Sequence, residues 1–143
     1  MDYRALAEIG AAGMTLEKKR LEVAAMNLAH MNSSIAPGQA GYRPLQVVSQ
    51  SFASRVGDSI GGLDPLSVGM RWTVVPREGA PREVRDPGHP HADANGFVRY
   101  PAVDQALEML SAMSAMRAYE ANMAVMGMAK AMVTRALELG AQR

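Results

Sequence analysis

The segment from Val103 to Leu139 constrains the fold of this chain more than any other part of the sequence. It contains no proline and a single glycine, Gly127, and it is rich in alanine, leucine, methionine and glutamate, which are strong helix formers. Pro101 and Asp104 are residues typical of a helix start, and Gly140 is typical of a helix end. The sequence therefore predicts one long C-terminal helix.

The N-terminal part of the chain, which also lacks proline, predicts a second long helix that ends before Pro37-Gly38. Gly10 and Gly13 weaken its first half, because glycine costs about 1 kcal/mol against alanine in a helix interior. Its larger apolar residues recur at helical spacing. They form one stripe, the N-terminal stripe, which comprises Met14, Leu21, Ala24, Leu28 and Met31.

The middle of the chain holds all eight prolines and most of the glycines. Two short runs, Leu45–Val48 and Met70–Val75, are strand-like, and the second predicts one half of a short β-hairpin. The glycine-rich stretch Gly57–Gly69 predicts a flexible connector. Because so long a segment without regular structure is unusual inside a compact domain, we expect it to lie over neighbouring subunits.

The resulting fold class is mainly α: two long terminal helices form a coiled-coil-like pair and are joined by an extended, loop-rich segment with a short β-hairpin. The predicted organisation is an N-terminal helix in residues 1–32, the extended segment in residues 33–102 and a C-terminal helix in residues 103–143.

The C-terminal helix carries two apolar stripes. The first stripe has a mean spacing near the helical period and includes Leu107, Leu110, Ala118, Ala121, Val125, Met128 and Met132. The methionine stripe lies largely off the first one and consists of Met109, Met113, Met116, Met123 and Met126. A single partner helix cannot cover both stripes. The sequence therefore favours packing against other subunits, with a third element of the same chain as the alternative.

Polar residues near these stripes are candidates for fixing register or for contacts between subunits. Asn27 and Asn122 either fix the helix register by pairing with a backbone or side-chain group, or point to solvent. Arg117, Tyr119 and Glu120 form a group whose residue types favour a contact between subunits.

Several functional classes are disfavoured by composition and motif. The charge is nearly balanced, with 15 Lys+Arg and 14 Asp+Glu, and its basic residues are not concentrated as in nucleic-acid-binding proteins. The absence of cysteine excludes disulfides and thiolate sites. No run of about 18 apolar residues predicts a membrane span, and the N-terminus lacks the pattern of a cleavable secretion signal.

The only cluster of metal-ligand type is His89, His91 and Asp93. Imidazole and carboxylate groups at this spacing can bind zinc, but the neighbouring prolines favour a rigid loop that uses these polar side chains for its own backbone. No nucleophile motif, dinucleotide-binding motif or phosphate loop occurs. The sequence predicts no enzyme activity, no cofactor and no metal.

Particular motifs resemble those of one known family. Residues Arg20–Ala29, which end in Asn-Leu-Ala, and the following Gly41-Tyr42-Arg43 resemble the N-terminal signature of flagellar rod and hook proteins. Three further stretches, Pro87–Val98, Tyr100–Asp104 and Arg117–Asn122, resemble the flagellar basal-body rod family in its proximal-rod subclass. His30 departs from this pattern, since the family usually has asparagine there.

The resemblance implies a structural subunit of the proximal rod in the basal body, placed in the periplasm after export without a cleavable leader. The implied partners are further copies in a helical assembly, other rod proteins, the adaptor that joins the rod to the export gate, and the type III export apparatus. The terminal helices would form a hollow drive shaft that transmits torque and conducts exported subunits. The alternative is a soluble export chaperone or adaptor with a methionine-rich groove.

Overall fold

The computed structural model describes residues 3–49 and 72–141. Over these residues the chain forms, in order, α1 (Tyr3–His30), β1 (Leu45–Ser49), β2 (Trp72–Pro76), β3 (Arg82–Arg85), β4 (Phe97–Tyr100) and α2 (Gln105–Ala141). The structure confirms two long terminal helices and a mainly helical chain. The predicted connector Gly57–Gly69 lies outside the described residues. Neither helix in the described part is long and apolar enough to cross a membrane.

Asp104 determines where α2 begins. Its Oδ1 atom accepts hydrogen bonds from the backbone N–H groups of Ala106 at 2.9 Å and Leu107 at 3.2 Å, which satisfies donors that the first turn leaves free. The predicted N-cap is therefore confirmed. The predicted stop at Gly140 is wrong by a residue, because the helix continues to Ala141 and Gly140 lacks the positive φ of a glycine helix cap.

The strands form two pairs where the sequence predicted one hairpin. β1 pairs with β2, and β3 pairs with β4 in an antiparallel register that sets Glu83 opposite Arg99 and Val84 opposite Val98. Ile35 extends the second pair through a bridge to Arg99. All four residues of β3 are exposed, so this strand lacks the apolar alternation by which short strands are predicted.

The chain divides into two compact units. The second unit comprises Arg20–Val47 and Val74–Met113, and the first comprises the remaining described residues. In the second unit the core contains Val98, which is fully buried, together with Val23, Ala24 and Ile35. These side chains come from α1, from the segment after it and from β4.

The first unit packs its helices through small residues. Gly10 and Gly13 of α1 are buried, and a Cβ atom at either position would lie 2.8 Å from α2, at Met126 Cγ for Gly10 and at Asn122 Nδ2 for Gly13. Since the higher α1 number meets the lower α2 number, the helices run antiparallel here. The glycines that weaken α1 as an isolated helix thus allow its close approach to α2.

The buried faces of the helices are offset from the stripes that the sequence predicted. On α1, Gly10, Gly13 and Leu16 are buried in the first unit and Val23, Ala24 and Asn27 in the second, whereas the predicted residues Met14, Leu21 and Leu28 are half-buried at the edge of that face. The predicted stripe and the buried face of α1 share Ala24, and the buried face also includes Gly10, Gly13, Leu16 and Val23.

Substitutions at two glycines test this packing. Gly13→Val should lower the free energy of unfolding by about 1–3 kcal/mol, because added methyl groups in a close contact force the helices apart. Gly127 lies in α2, and a methyl group added there would meet only open space. Gly127→Ala should therefore raise the free energy of unfolding by about 0.5–1 kcal/mol through helix propensity alone. Urea denaturation of the purified chain measures both. Equal effects of the two changes would contradict the packing described.

Candidate functional site

The side chain of Asn27, on the last turns of α1, is the centre of a buried polar network in the second unit. It is fully buried. Its Nδ2 atom donates to the backbone oxygen of Leu45 at 2.9 Å and to Oε2 of Glu108 at 3.0 Å. Its Oδ1 atom accepts from the Tyr42 hydroxyl at 2.8 Å and from the Leu45 N–H at 2.9 Å. All the hydrogen-bonding capacity of the amide is used.

Glu108 connects this amide to a basic side chain. The Glu108 residue lies in the first turn of α2 and is buried, and its Oε1 atom accepts from Arg77 Nη2 at 2.8 Å. A carboxylate that accepts bonds from an arginine and an amide is far less costly to bury than an unpaired one. Four segments of the second unit, around residues 27, 42–45, 77 and 108, are therefore held by one set of bonds.

Tyr42 contributes as a donor. Burial raises the pKa of the Tyr42 phenol above its ordinary value, and the nearby negative charge of Glu108 raises it further. The hydroxyl is therefore protonated at neutral pH and available to donate to Asn27. The Tyr42 ring also stacks on His30, with centroids 4.4 Å apart and planes 21° apart, so His30 packs against the network at the last residue of α1.

Most large apolar side chains of α2 are exposed. The buried positions of this helix are Glu108, Ala115 and Ala129. These three residues lie nearly in line along the helix, because successive residues are rotated by about 100° around its axis. The exposed residues of the first stripe lie on one side of this buried line, and those of the methionine stripe lie on the other side. The exposed members are Leu107, Leu110, Met128 and Met132 of the first stripe and Met109, Met113, Met116 and Met123 of the methionine stripe.

The remaining predicted stripe residues are half-buried, except for one that is exposed. Ala118 and Val125 of the first stripe are half-buried and Ala121 is exposed, while Met126 of the methionine stripe is half-buried beside Gly10. Met31, the last member of the N-terminal stripe, is half-buried. The roles of all these positions in assembly remain predictions.

The polar candidates also differ in their placement. Asn27 pairs with backbone and side-chain groups of its own chain and does not point to solvent, while its role in fixing the helix register stays a prediction. Asn122 is half-buried against Gly13. Arg117, Tyr119 and Glu120 are exposed on α2, so the described chain leaves them accessible to a neighbour, and their predicted contact between subunits stays a prediction.

The histidine loop between β3 and β4 is ordered by its own polar groups. His89 Nδ1 accepts from the backbone N–H of His91 at 3.0 Å, and His91 Nδ1 lies 2.8 Å from the Ser34 hydroxyl. Asp93 Oδ1 accepts from the N–H groups of Asn95 and Phe97. Residues 3–49 and 72–141 contain no group of three metal-ligand side chains. The loop therefore uses these atoms structurally.

Sequence reasoning does not identify Tyr42, Arg77 or Glu108 as partners of Asn27. From the sequence, Glu108 is an acid that favours the start of a helix, which is the usual role of a carboxylate in a first turn. A glutamate in that position carries no local signal that it is buried. The partner residues are far apart along the chain, and only the folded second unit brings them together.

An isosteric change tests the network. Asn27→Asp should lower the free energy of unfolding at neutral pH by about 2–4 kcal/mol, because the new carboxylate would face Glu108 and could not donate to the Leu45 oxygen. Asn95→Asp, in an exposed loop, is the matched control and should change the free energy of unfolding by less than about 0.5 kcal/mol. Chemical denaturation measures both, and equal losses would show that Asn27 has no special role.

The raised pKa of Tyr42 predicts a pH dependence. The unfolded phenol ionises near its ordinary pKa of 10.0, below the folded value, so the Tyr42 contribution to stability is complete below pH 10 and is lost as the pH rises through the folded pKa. Tyr42→Phe should cost about 0.5–1.5 kcal/mol at neutral pH. The difference between wild type and variant should shrink above pH 10. Tyr119→Phe, on the exposed surface, is the control. If the difference in the free energy of unfolding between wild type and Tyr42→Phe stays constant up to about pH 11, the raised pKa of Tyr42 is contradicted.

Comparison with known proteins identifies the family. Residues 94–139 match the family described as flagellar basal body rod FlgEFG protein C-terminal. The flagellar basal-body rod protein FlgC of Salmonella typhimurium is 39% identical over 133 residues, which cover 93% of this chain and 94% of that protein. The FlgC proteins of Bacillus subtilis and Borreliella burgdorferi are 32% and 30% identical, and each alignment covers 92% of this chain and at least 93% of the relative. The chain belongs to the flagellar basal-body rod proteins, in their FlgC branch.

Proposed function

We propose that this rod protein is a structural subunit of the proximal rod, and that it polymerises helically through α1 and α2. The terminal helices of successive copies build a hollow shaft, which transmits torque and leaves a channel for exported subunits. Family membership supports the structural role.

The observation that carries this proposal is the apolar surface of α2. Leu107 and Leu110 are 60% and 62% exposed, and Met123 is 52% exposed. Side chains of this kind contribute about 25 cal/mol per Å² of apolar surface when they are removed from water. A chain that leaves them exposed along a helix of 37 residues has a surface suited to contacts with other molecules.

The occupants of this surface are, in this proposal, neighbouring copies and other rod proteins. Methionine side chains are flexible and polarisable, so they adapt to contacts that differ slightly from one neighbour to the next. Arg117, Tyr119 and Glu120 lie exposed on the same helix and would add polar contacts between subunits. The adaptor between rod and export gate would meet subunits at one end of the rod.

We further propose that the chain reaches the periplasmic rod through the type III export apparatus. The export chaperone alternative is not favoured, because the matching relatives are named as rod proteins.

A charge on the α2 surface tests the proposal. Met123→Asp should reduce incorporation into basal bodies at least about tenfold, because burying an unpaired carboxylate in a contact costs more than the roughly 1.4 kcal/mol that a factor of ten requires. Motility of a strain that depends on this chain should fall in parallel. The measurement is the amount of chain in purified basal bodies.

The matched control is Ala11→Asp, at an exposed position of α1 on the side that carries Lys18 and Glu22. It should leave incorporation near the wild-type level, and circular dichroism of both purified variants should show the same helix content. Normal incorporation of Met123→Asp would contradict the proposed contact surface.

A further inference from the structure

Six methionine side chains of α2 are at least half exposed. Their exposed fractions lie between 50% and 57%. They are Met109, Met113, Met116, Met123, Met128 and Met132. By contrast, Met126 of the same helix is half-buried. Its Cγ atom lies 2.8 Å from the position that a Cβ atom at Gly10 would take.

Among the methionines in residues 3–49 and 72–141, these six are the most exposed. The sequence contains no cysteine and a single tryptophan, so no thiol competes for an oxidant. Oxidation of methionine to the sulfoxide converts a flexible apolar side chain into a polar one, and it is reversed by methionine sulfoxide reductases. Susceptibility follows the exposure of the sulfur.

We propose that the six exposed methionines are a reversible oxidation site for peroxide-class oxidants, and that their conversion to sulfoxide prevents assembly while it leaves the fold of the subunit intact. In each step the sulfur attacks one peroxide oxygen, the O–O bond breaks and an S–O bond forms. The departing hydroxide takes the proton of the new S–OH group and leaves as water. The sulfur is oxidised by two electrons and the peroxide is reduced.

The fold is expected to survive because none of these six side chains belongs to the buried face of α2. That face uses Ala115, Ala129 and the half-buried Asn122. On an exposed surface the sulfoxide oxygen is hydrated, whereas in a contact between subunits it would have to lose that water without a partner. The effect on assembly rests on the proposed function; the selective oxidation rests on the exposure alone.

The first experiment measures oxidation site by site. The full-length purified chain is treated with hydrogen peroxide, and peptides are followed by mass spectrometry over time. Met123 and Met126, three residues apart on one helix, are the matched pair: Met123 should react several-fold faster than Met126, with helix content by circular dichroism unchanged. Equal rates at the two residues, or loss of helix content as the exposed methionines react, would overturn the proposal.

The second experiment measures assembly with a sulfoxide mimic. A variant with all six methionines changed to glutamine, which is polar and of similar length, should keep its helix content but fall at least tenfold below the wild type in purified basal bodies. In a variant with the six methionines changed to leucine, treatment with peroxide should not lower incorporation into basal bodies relative to an untreated sample of the same variant. Incorporation of the glutamine variant at the wild-type level would overturn the effect on assembly alone. Absence of the wild-type chain from basal bodies would instead refute the proposed function, and the assembly effect with it.

Discussion

The buried amide of Asn27 is the group on which the second unit depends. It is fully buried, and its bonds reach the backbone beside β1, the Tyr42 hydroxyl and the Glu108 carboxylate at the start of α2. A buried polar group is costly unless its partners are all in place. The network therefore selects one arrangement of these segments, because any shift of a helix by one residue would leave several polar atoms unpaired.

In the first unit the main structural feature is the close contact between α1 and α2. Gly10 and Gly13 place the backbone of α1 against Met126 and Asn122. Gly10 leaves room there for Met126, whereas most other bulky apolar residues of α2 are exposed. These exposed residues form the surface that we propose as the contact with other subunits.

The sequence was sufficient for the two helices and for the start of α2, because proline content, apolar periodicity and the Asp104 cap are local signals. It also indicated strands at β1 and β2, but not that these two strands pair with each other. The pairing of β3 and β4 could not be predicted from the sequence, because these strands are short and β3 is exposed throughout. The partners of Asn27 could not be predicted either, because Arg77 and Glu108 approach it only through the tertiary fold.

The central claim is that the exposed apolar surface of α2 is covered in the assembled rod. Since the chain has no cysteine, Met116→Cys introduces a single thiol on that surface, and its reaction rate with a water-soluble maleimide can be compared between the purified chain and isolated basal bodies. Ala11→Cys, at an exposed position on the side of α1 that carries Lys18 and Glu22, serves as the reference for general accessibility. We expect the thiol at position 116 to react readily in the free chain and to be strongly protected in basal bodies, relative to position 11. Equal reactivity in both states would contradict the claim.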